Sequence, residues 1–216
     1  TLKLFQQLQY KQVLLLDLIY GKDGETPVDD ADLTEHLDSQ MYELAYVNIP
    51  LYNTSTFVFA SDDQKAEMLQ LAQAAATAAN LMDYENVEDQ VSALHAAAQS
   101  ALPDIYAVLD ATPSDDASSV QTELLTESDL TSTFTQDGAA DAVRGLVYGE
   151  SAAVQYNGYA MMLAVRLDPL SVSTLDALRS QILGDMKGEE LNDALAAYGA
   201  QLDSTLSSSA MSKLPA

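Results

Sequence analysis

One stretch of the sequence, Ala142–Asp168, constrains the possible folds more than any other. It reads AVRGLVYGESAAVQYNGYAMMLAVRLD and begins inside a short helix predicted over Ala139–Leu146. A turn at Tyr148-Gly149-Glu150 leads into a polar strand, Ser151–Gln155. The pair Asn157-Gly158 favours a tight hairpin turn, because both residue types tolerate positive φ. This stretch therefore predicts a helix followed by a β-hairpin.

The second strand of that hairpin is an unbroken apolar run, Tyr159–Val165. The run is too short for a typical free-standing helix, so we predict a strand that is buried on both faces. A further strand is predicted over Met41–Tyr52, where alternation places Leu44, Tyr46 and Asn48 on one face. Together these segments predict a small antiparallel sheet.

The remaining patterned segments are helical. Apolar spacing and capping residues predict five longer helices, at Leu2–Tyr20, Asp30–Gln40, Asp62–Leu81, Val87–Ala101 and Leu175–Tyr198. Between Pro103 and Asp129 the pattern is weak, and only Glu123–Leu125 reads as a short strand. The sequence therefore indicates an α+β fold in which helices flank a small sheet.

The charge balance excludes several classes of partner. The chain carries 33 acidic and 9 basic residues, a net charge of −24. Such an excess argues against binding nucleic acid, whose phosphates need Lys or Arg, and against an anionic membrane surface. No apolar run approaches the ~20 residues that span a bilayer. We therefore expect no membrane insertion within this chain.

The sequence predicts no metal or cofactor. There is no cysteine. The histidines, His36 and His95, lack ligand-spaced partners, and we expect surface or half-buried structural roles for them. The acidic pairs lie at predicted helix starts or in loops, where capping explains them. No phosphate-binding glycine loop and no serine nucleophile motif is present.

The amino-acid sequence of the predicted hairpin resembles that of a known family. This segment resembles the closing hairpin of parvulin-type peptidyl-prolyl isomerase domains. The resemblance lies in the order of a helix, Gly149-Glu150, a polar strand, and Gly158-Tyr159 before an apolar strand. In that family the tail usually reads G-Y-H-I-I-K-V, and its histidine position is occupied here by Ala160. The family's first-strand histidine is also missing, and Asn48 is the hydrogen-bonding residue in that window. The resemblance therefore implies the fold with a degenerate active site.

The flanking segments extend the resemblance to SurA/PrsA-like chaperones. The N-terminal region resembles the region that precedes the parvulin domain in those proteins: it has a long first helix, then Tyr20-Gly-Lys-Asp-Gly, then the segment Val28–Leu37. The tail after Tyr198 resembles their C-terminal end. The resemblance implies a parvulin-like domain over residues 41–169, inserted into a helical domain built from residues 1–40 and 170–216. We expect the last helix to pack on the first.

Aromatic and thioether side chains in the predicted sheet form a candidate peptide-binding groove. Its predicted members share the sheet or the hairpin: Tyr46, Asn48, Tyr148, Tyr156, Tyr159, Met161 and Met162. Because Met161 and Met162 are adjacent in a strand, they face opposite sides, and one of them belongs to the core. Core and edge packing is the alternative explanation for the whole set.

The resemblance implies an extracytoplasmic foldase or chaperone that binds unfolded or proline-containing polypeptide, with isomerase activity weak or lost. Because the chain starts at Thr1 inside a predicted helix, we expect a fragment of a longer protein, with a lipoprotein-type envelope anchor in a missing N-terminal segment. Two alternatives stay open. One is an adaptor that uses the scaffold to bind one folded partner, and the other is an active isomerase in which Tyr46 or Asn48 replaces histidine.

Overall fold

A computed structural model of the chain describes residues 2–82 and 84–201. Its described part contains eight helices and a four-stranded antiparallel sheet, which confirms the α+β prediction. The elements in chain order are α1 Leu2–Tyr20, α2 Asp30–Gln40, β1 Met41–Pro50, α3 Asp62–Asn80, α4 Val87–Ala107, β2 Gln121–Thr126, α5 Glu127–Thr133, α6 Ala139–Arg144, β3 Ser151–Gln155, β4 Ala160–Leu167, α7 Pro169–Val172 and α8 Leu175–Gln201. No described helix is both long enough and apolar enough to cross a membrane.

The chain divides into two compact units. One unit combines the described residues up to Leu33 with those from Arg179 onward, and the other is Thr34–Leu178. The sheet lies wholly within the second unit. The part of the predicted C-terminal domain that follows Gln201, including most of the tail segment compared with the chaperones, lies outside the described residues.

In the first unit, side chains of α1 contact those of α8. The hydroxyl of Tyr20 donates a hydrogen bond of 3.1 Å to Glu190, and the Lys187 ammonium lies 5.4 Å from the centre of the Tyr20 ring. Gln12 donates a 2.9 Å hydrogen bond to Asn192. These polar contacts join two helices that are far apart in the sequence.

The sheet of the second unit has the strand order β2-β1-β4-β3. β1 pairs with β4 from Glu43 opposite Leu167 to Pro50 opposite Ala160. β1 and β4 are both central, and every residue of β4 is buried, whereas Asn48 of β1 is exposed. This explains why the apolar run of β4 does not alternate with polar residues.

One face of the sheet packs against α3 and α4. The residues of β1 and β4 that face these helices are almost fully buried: Ala45, Val47, Ile49, Met161, Leu163, Val165 and Leu167. The alanines of α3 allow its backbone to approach the sheet closely. α3 begins with a capping box, in which the Ser61 hydroxyl accepts from the Gln64 amide and the Gln64 side chain accepts from the Ser61 amide.

Among the described residues, the opposite face is covered by two short helices and by the segments that follow them. Leu44, Met162 and Ala164 pack there against Leu130 of α5 and Val143 of α6. α5 has 7 residues and α6 has 6, so this layer is much thinner than the layer of α3 and α4. Part of this face therefore stays open.

The predicted hairpin is present, but its predicted turn is wrong. β3 and β4 pair from Ser151 opposite Val165 to Gln155 opposite Met161. Among the described residues, positive φ occurs at four positions, Phe57, Asp110, Gly138 and Gly149, so the Asn157-Gly158 pair does not form a turn of that type. Instead the Asn157 side chain accepts hydrogen bonds from the amides of Tyr159, at 2.8 Å, and Ala160, at 2.9 Å. The side chain, rather than left-handed backbone, makes this turn.

Several element boundaries differ from the sequence prediction by a few residues, among them the end of β1 at Pro50 rather than Tyr52, and the largest differences concern α4 and α5. α4 continues to Ala107 through Pro103, which lies inside the helix. Burial of Leu102 and Ile105 on either side offsets the backbone hydrogen bond that proline cannot donate. α5 was not predicted, although a capping box between Thr126 and Asp129 marks its start.

Candidate functional site

The open part of the thinly covered face contains a cavity of about 150 Å³. Its walls come from β1, β2, β4, α5 and the loop after β3. The lining residues are Leu44, Tyr46, Glu123, Leu125, Asp129, Thr133, Phe134, Tyr156 and Met162. The floor is apolar, whereas the rim carries hydroxyl and carboxylate groups. We refer to it as the sheet-face cavity.

Tyr46 forms one wall of the sheet-face cavity and is held by Glu123. Residue 46 of β1 lies directly opposite Gln121 of β2, and its hydroxyl donates a 3.2 Å hydrogen bond to the Glu123 carboxylate. Burial, followed by the negative charge of Glu123, raises the pKa of Tyr46 to about 12. Tyr46 therefore keeps its proton at neutral pH and acts as a hydrogen-bonding group rather than as a base.

Tyr156 forms the opposite wall. Its ring lies 5.6 Å from the ring of Phe134 in a tilted arrangement, and its hydroxyl donates a 2.8 Å hydrogen bond to the Asn48 side chain. The Tyr156 carbonyl accepts from the amide of Gln136 at 3.1 Å, which ties the loop to the segment after α5. Burial raises the pKa of the Tyr156 hydroxyl. Asn48, although not part of the lining, therefore orients a lining residue.

Met162 and Ala160 lie on the same face of β4. Met162 is opposite Asn48 on β1, and Ala160 is opposite Pro50. Ala160 is buried and has only a methyl group, so it offers no proton donor or acceptor from its side chain. The thioether of Met162 instead supplies a flexible apolar surface within the cavity.

Three of the seven predicted groove residues lie elsewhere. Met161 is fully buried on the face that α3 and α4 cover. The Tyr159 ring is exposed and lies 5.7 Å from the ring of Phe59. Tyr148 lies beside Arg166, with the guanidinium carbon 5.1 Å from the centre of its ring. The structure thus brings Tyr46, Asn48, Tyr156 and Met162 together, and it separates Met161, Tyr159 and Tyr148 from them.

Tyr148 belongs to a cluster around the buried side chain of Arg166. The guanidinium is stacked between Tyr148 and Tyr42, whose ring centre is 4.9 Å away, and it donates to the Leu146 carbonyl at 2.8 Å. The Tyr148 hydroxyl donates to Asp38 at 3.0 Å. Stacking and carbonyl contacts compensate for burial of the cation. These contacts give Tyr148 a structural role in holding β4 to the neighbouring loop.

An ion pair supports the helical layer next to the cavity. Arg144 of α6 contacts both Glu127 of α5 and Asp141, and Tyr42 donates a 3.3 Å hydrogen bond to Glu127. The hydrogen bond from Arg144 holds the pKa of Glu127 below its usual value. Glu127 is therefore ionised at neutral pH and links α5, α6 and β1.

The sequence interpretation missed the contribution of β2 and α5 to the cavity. The sequence predicts Glu123–Leu125 as a short strand, and it predicts no element around Thr133 and Phe134. Their role follows from the pairing of β2 with β1, where Leu44 lies opposite Glu123. The capping box that starts α5 was the signal in the sequence that could have revealed this wall.

Neither histidine lines the sheet-face cavity. His95, on α4, is half-buried, and its Nδ1 lies 2.8 Å from the Ser118 carbonyl oxygen. His36 is half-buried on α2. Within residues 2–82 and 84–201, no group of three or more His, Asp or Glu side chains is arranged to hold a metal ion.

Comparison with known proteins gives no further assignment. No protein-family model, no curated protein and no solved structure matches the chain.

Proposed function

We propose that this chain is a polypeptide-binding chaperone of the SurA/PrsA type, working outside the cytoplasm, whose parvulin-like domain has weak or no isomerase activity. The observation that carries the proposal is the sheet-face cavity. Its lining brings together Tyr46, Tyr156 and Met162, three of the residues that the sequence predicted for a peptide groove. Asn48 supports Tyr156 from the adjacent position.

The order of elements supports a parvulin-like domain. A first strand is followed by two long helices, a strand, two short helices and a closing hairpin. The resemblance implies the same order with one short helix before the hairpin. The two-part composition of the other compact unit supports the proposed insertion into a helical domain. The proposal thus rests on the order of the elements together with the sequence of the hairpin.

The chemistry of the cavity suits polypeptide binding. Aromatic rings and a thioether accept varied apolar side chains, and the tyrosine hydroxyls offer hydrogen bonds to a peptide backbone. A volume of about 150 Å³ is enough for one side chain of a client, such as that of proline or leucine, rather than for a cofactor. We therefore propose that one apolar side chain of an extended client enters the cavity.

Catalysis of prolyl isomerisation has little support at this site. Rotation about the peptide bond has a barrier of about 18–20 kcal/mol, which the resembled family lowers with polar groups in its active site. Ala160 occupies one histidine position, and Tyr46 is protonated at neutral pH, since its pKa of about 12 lies even further above neutrality than that of an ordinary tyrosine. We therefore expect binding without efficient bond rotation.

A blocking substitution tests whether the cavity binds polypeptide. Thr133 lines the cavity and is exposed, so Thr133→Trp fills its mouth without removing a core side chain. The matched control is Thr131→Trp, at an exposed position of the same helix that is not part of the lining. With a fluorescent, unfolded proline-containing peptide, we expect Thr133→Trp to weaken binding at least about tenfold and the control to leave it unchanged. Equal affinities of the two variants for the peptide would contradict the proposal.

An isomerisation assay tests the catalytic part separately. Uncatalysed X-Pro isomerisation takes about tens to hundreds of seconds. We expect saturating protein to accelerate it by less than about tenfold, in an assay where an active parvulin-type isomerase serves as the positive control. Acceleration by several orders of magnitude would favour the active-isomerase alternative. Capture of one folded partner, with no affinity for unfolded peptide, would favour the adaptor alternative.

A further inference from the structure

A second apolar surface lies at the end of β1, separate from the sheet-face cavity. The segment after β1 folds back on itself, with a bridge between Tyr52 and Phe59, and exposes 73% of Phe57, 64% of Val58 and 55% of Phe59. Tyr159 of the β3–β4 loop is 64% exposed and completes the surface. We call these five residues the aromatic surface.

The side chains of the aromatic surface contact one another. Tyr52 lies 5.6 Å from Phe59 and 6.4 Å from Phe57, and Phe59 lies 5.7 Å from Tyr159, measured between ring centres. The Leu51 amide donates a 2.8 Å hydrogen bond to the Tyr159 carbonyl, which joins the two loops. The aromatic surface is therefore one continuous patch, of the kind that marks an interaction site on a soluble protein.

The loop that carries the aromatic surface is well ordered by hydrogen bonds. The Asn53 side chain accepts from the amides of Ser55 and Thr56, at 3.0 and 3.1 Å, and donates to the Leu109 carbonyl at 3.0 Å. Phe57 is held at a φ of 57°, a conformation that a bulky residue rarely adopts. A preorganised loop loses little entropy when a partner binds.

A cavity with one carboxylate in its lining adjoins the aromatic surface. Its volume is about 360 Å³, and it is lined by Asn53, Thr56, Val58, Phe59, Gln64, Leu109 and Asp110. The Asp110 carboxylate is exposed, and no hydrogen bond or ion pair reaches it from any residue that the structure describes. Asp110 therefore places an unneutralised negative charge at the edge of the apolar patch.

Charge selects the occupant of this surface. A second copy of the chain or an anionic membrane would bring negative charge against a protein whose net charge is −24. A cationic polypeptide has the opposite charge and also provides apolar side chains. We propose that the aromatic surface binds an extended polypeptide segment that alternates basic and large apolar residues. One Lys or Arg side chain of the segment enters the cavity beside Asp110, and an adjacent apolar side chain packs on Phe57 and Phe59.

Two labelled peptides of about ten residues test this specificity. One alternates Lys or Arg with Phe or Leu, and the other has Glu in place of every basic residue. We expect fluorescence anisotropy of the full chain to show binding of the basic peptide and at least about tenfold weaker binding of the acidic one. Equal affinities for the two peptides would overturn the proposal.

Point variants locate the binding. Phe57→Ser and Phe59→Ser are expected to weaken binding of the basic peptide about tenfold or more, while Tyr10→Ser, at a side chain that is 67% exposed on α1, has no effect. Asp110→Asn is expected to weaken binding of the basic peptide, whereas Glu189→Gln, an equal charge change on α8, does not. Loss of binding in the control variants, or its retention in the test variants, would refute the assignment.

The test also separates this surface from the sheet-face cavity. Thr133→Trp blocks that cavity and lies outside the aromatic surface, so the basic peptide should bind this variant with unchanged affinity. A loss of binding in Thr133→Trp that equals the loss in Phe59→Ser would place both peptides at the cavity and contradict a second site.

Discussion

Glu43 is an acidic side chain that is largely removed from solvent. It is 5% exposed on β1, and burial raises its pKa above the usual 4.5. Across the described residues, nothing donates a hydrogen bond or contributes an ion pair to it. A buried charge of this kind lowers the stability of the folded state at neutral pH. Its proton is bound more tightly in the folded state than in the unfolded one.

We therefore predict that Glu43→Gln stabilises the protein at neutral pH. Because the folded pKa of Glu43 is raised, the wild type loses stability as pH rises from below the unfolded pKa through the folded value. The glutamine variant does not titrate, so its advantage is expected to be about 1 kcal/mol at pH 7 and to vanish at acid pH. Urea denaturation at both pH values measures this. A variant that is less stable than wild type at pH 7 would show that Glu43 has a stabilising partner.

Asp110 lies just after the end of α4 and has a backbone conformation that glycine adopts more easily. Its φ is 50°, and the amide of Ala111 donates to the Tyr106 carbonyl at 3.1 Å, as in a helix C-terminal motif that usually contains glycine. We predict that Asp110→Gly raises the free energy of unfolding by about 0.5 kcal/mol while it weakens binding of the basic peptide. A variant that loses stability would show that the Asp110 side chain supports the fold.

At the scale of elements, the β3–β4 hairpin has two kinds of glycine, Gly149 before β3 and Gly158 in the turn between the strands. A Cβ added at Gly158 would meet no atom within 4 Å, and this residue has no left-handed φ. Gly149 has a φ of +84°, and its Cβ would come within 3.1 Å of the Gln90 side chain. The two positions thus give a matched pair in one segment.

We predict that Gly158→Ala changes the free energy of unfolding by less than about 0.5 kcal/mol, whereas Gly149→Ala lowers it by about 1–2 kcal/mol. Asn157→Ala should also destabilise, by about 1–2 kcal/mol, because it removes two hydrogen bonds to backbone amides. Thermal denaturation of the three variants provides the measurement. A large loss of stability in Gly158→Ala would indicate that residue 158 has the left-handed conformation expected from the sequence.

Periodicity in the sequence was enough to predict the central strands. The alternation of β1 and the apolar run of β4 predicted their burial, and the helices α1 and α2 begin and end as the pattern indicated. The contact between the first and last helices, expected from the sequence, is present between Tyr20 and Glu190. These features depend on local patterns or on long amphipathic faces, which a single sequence records.

Features that depend on pairing between distant segments could not be predicted. Glu123 and Phe134 became cavity residues only through the register of β2 against β1 and the placement of α5. The helix through Pro103 depends on tertiary burial, which overrides local propensity. Alternation along β1 was enough to predict that Tyr46 and Asn48 share one face of the strand. It could not predict the cavity wall that β2 and α5 form.

For the molecule as a whole, the net charge of −24 sets the response to salt. Repulsion among the carboxylates destabilises the compact state, and added salt screens it. We predict that the melting temperature rises as sodium chloride increases from about 10 mM to about 500 mM. Differential scanning calorimetry checks this, with sucrose at matched osmolality as the control. A falling melting temperature would show that ion pairs such as Arg144–Glu127 outweigh the general repulsion.

The salt dependence of binding should differ between the two proposed surfaces. Contact of a basic peptide with the aromatic surface involves Asp110 and the net negative charge of the chain, so its affinity is expected to fall by about tenfold or more over the same salt range. An uncharged proline-containing peptide in the sheet-face cavity should show little change, because its contacts are mainly apolar. Fluorescence anisotropy at each salt concentration measures both peptides, and identical salt dependence would contradict two separate surfaces.

The most direct test of polypeptide binding at the sheet face is an NMR titration of the isotope-labelled chain with an uncharged, unfolded, proline-containing peptide. The account predicts that the largest amide shift changes occur around Tyr46, Glu123, Phe134 and Tyr156, which line the cavity. Shift changes confined to other parts of the chain, or none at peptide excess, would contradict it.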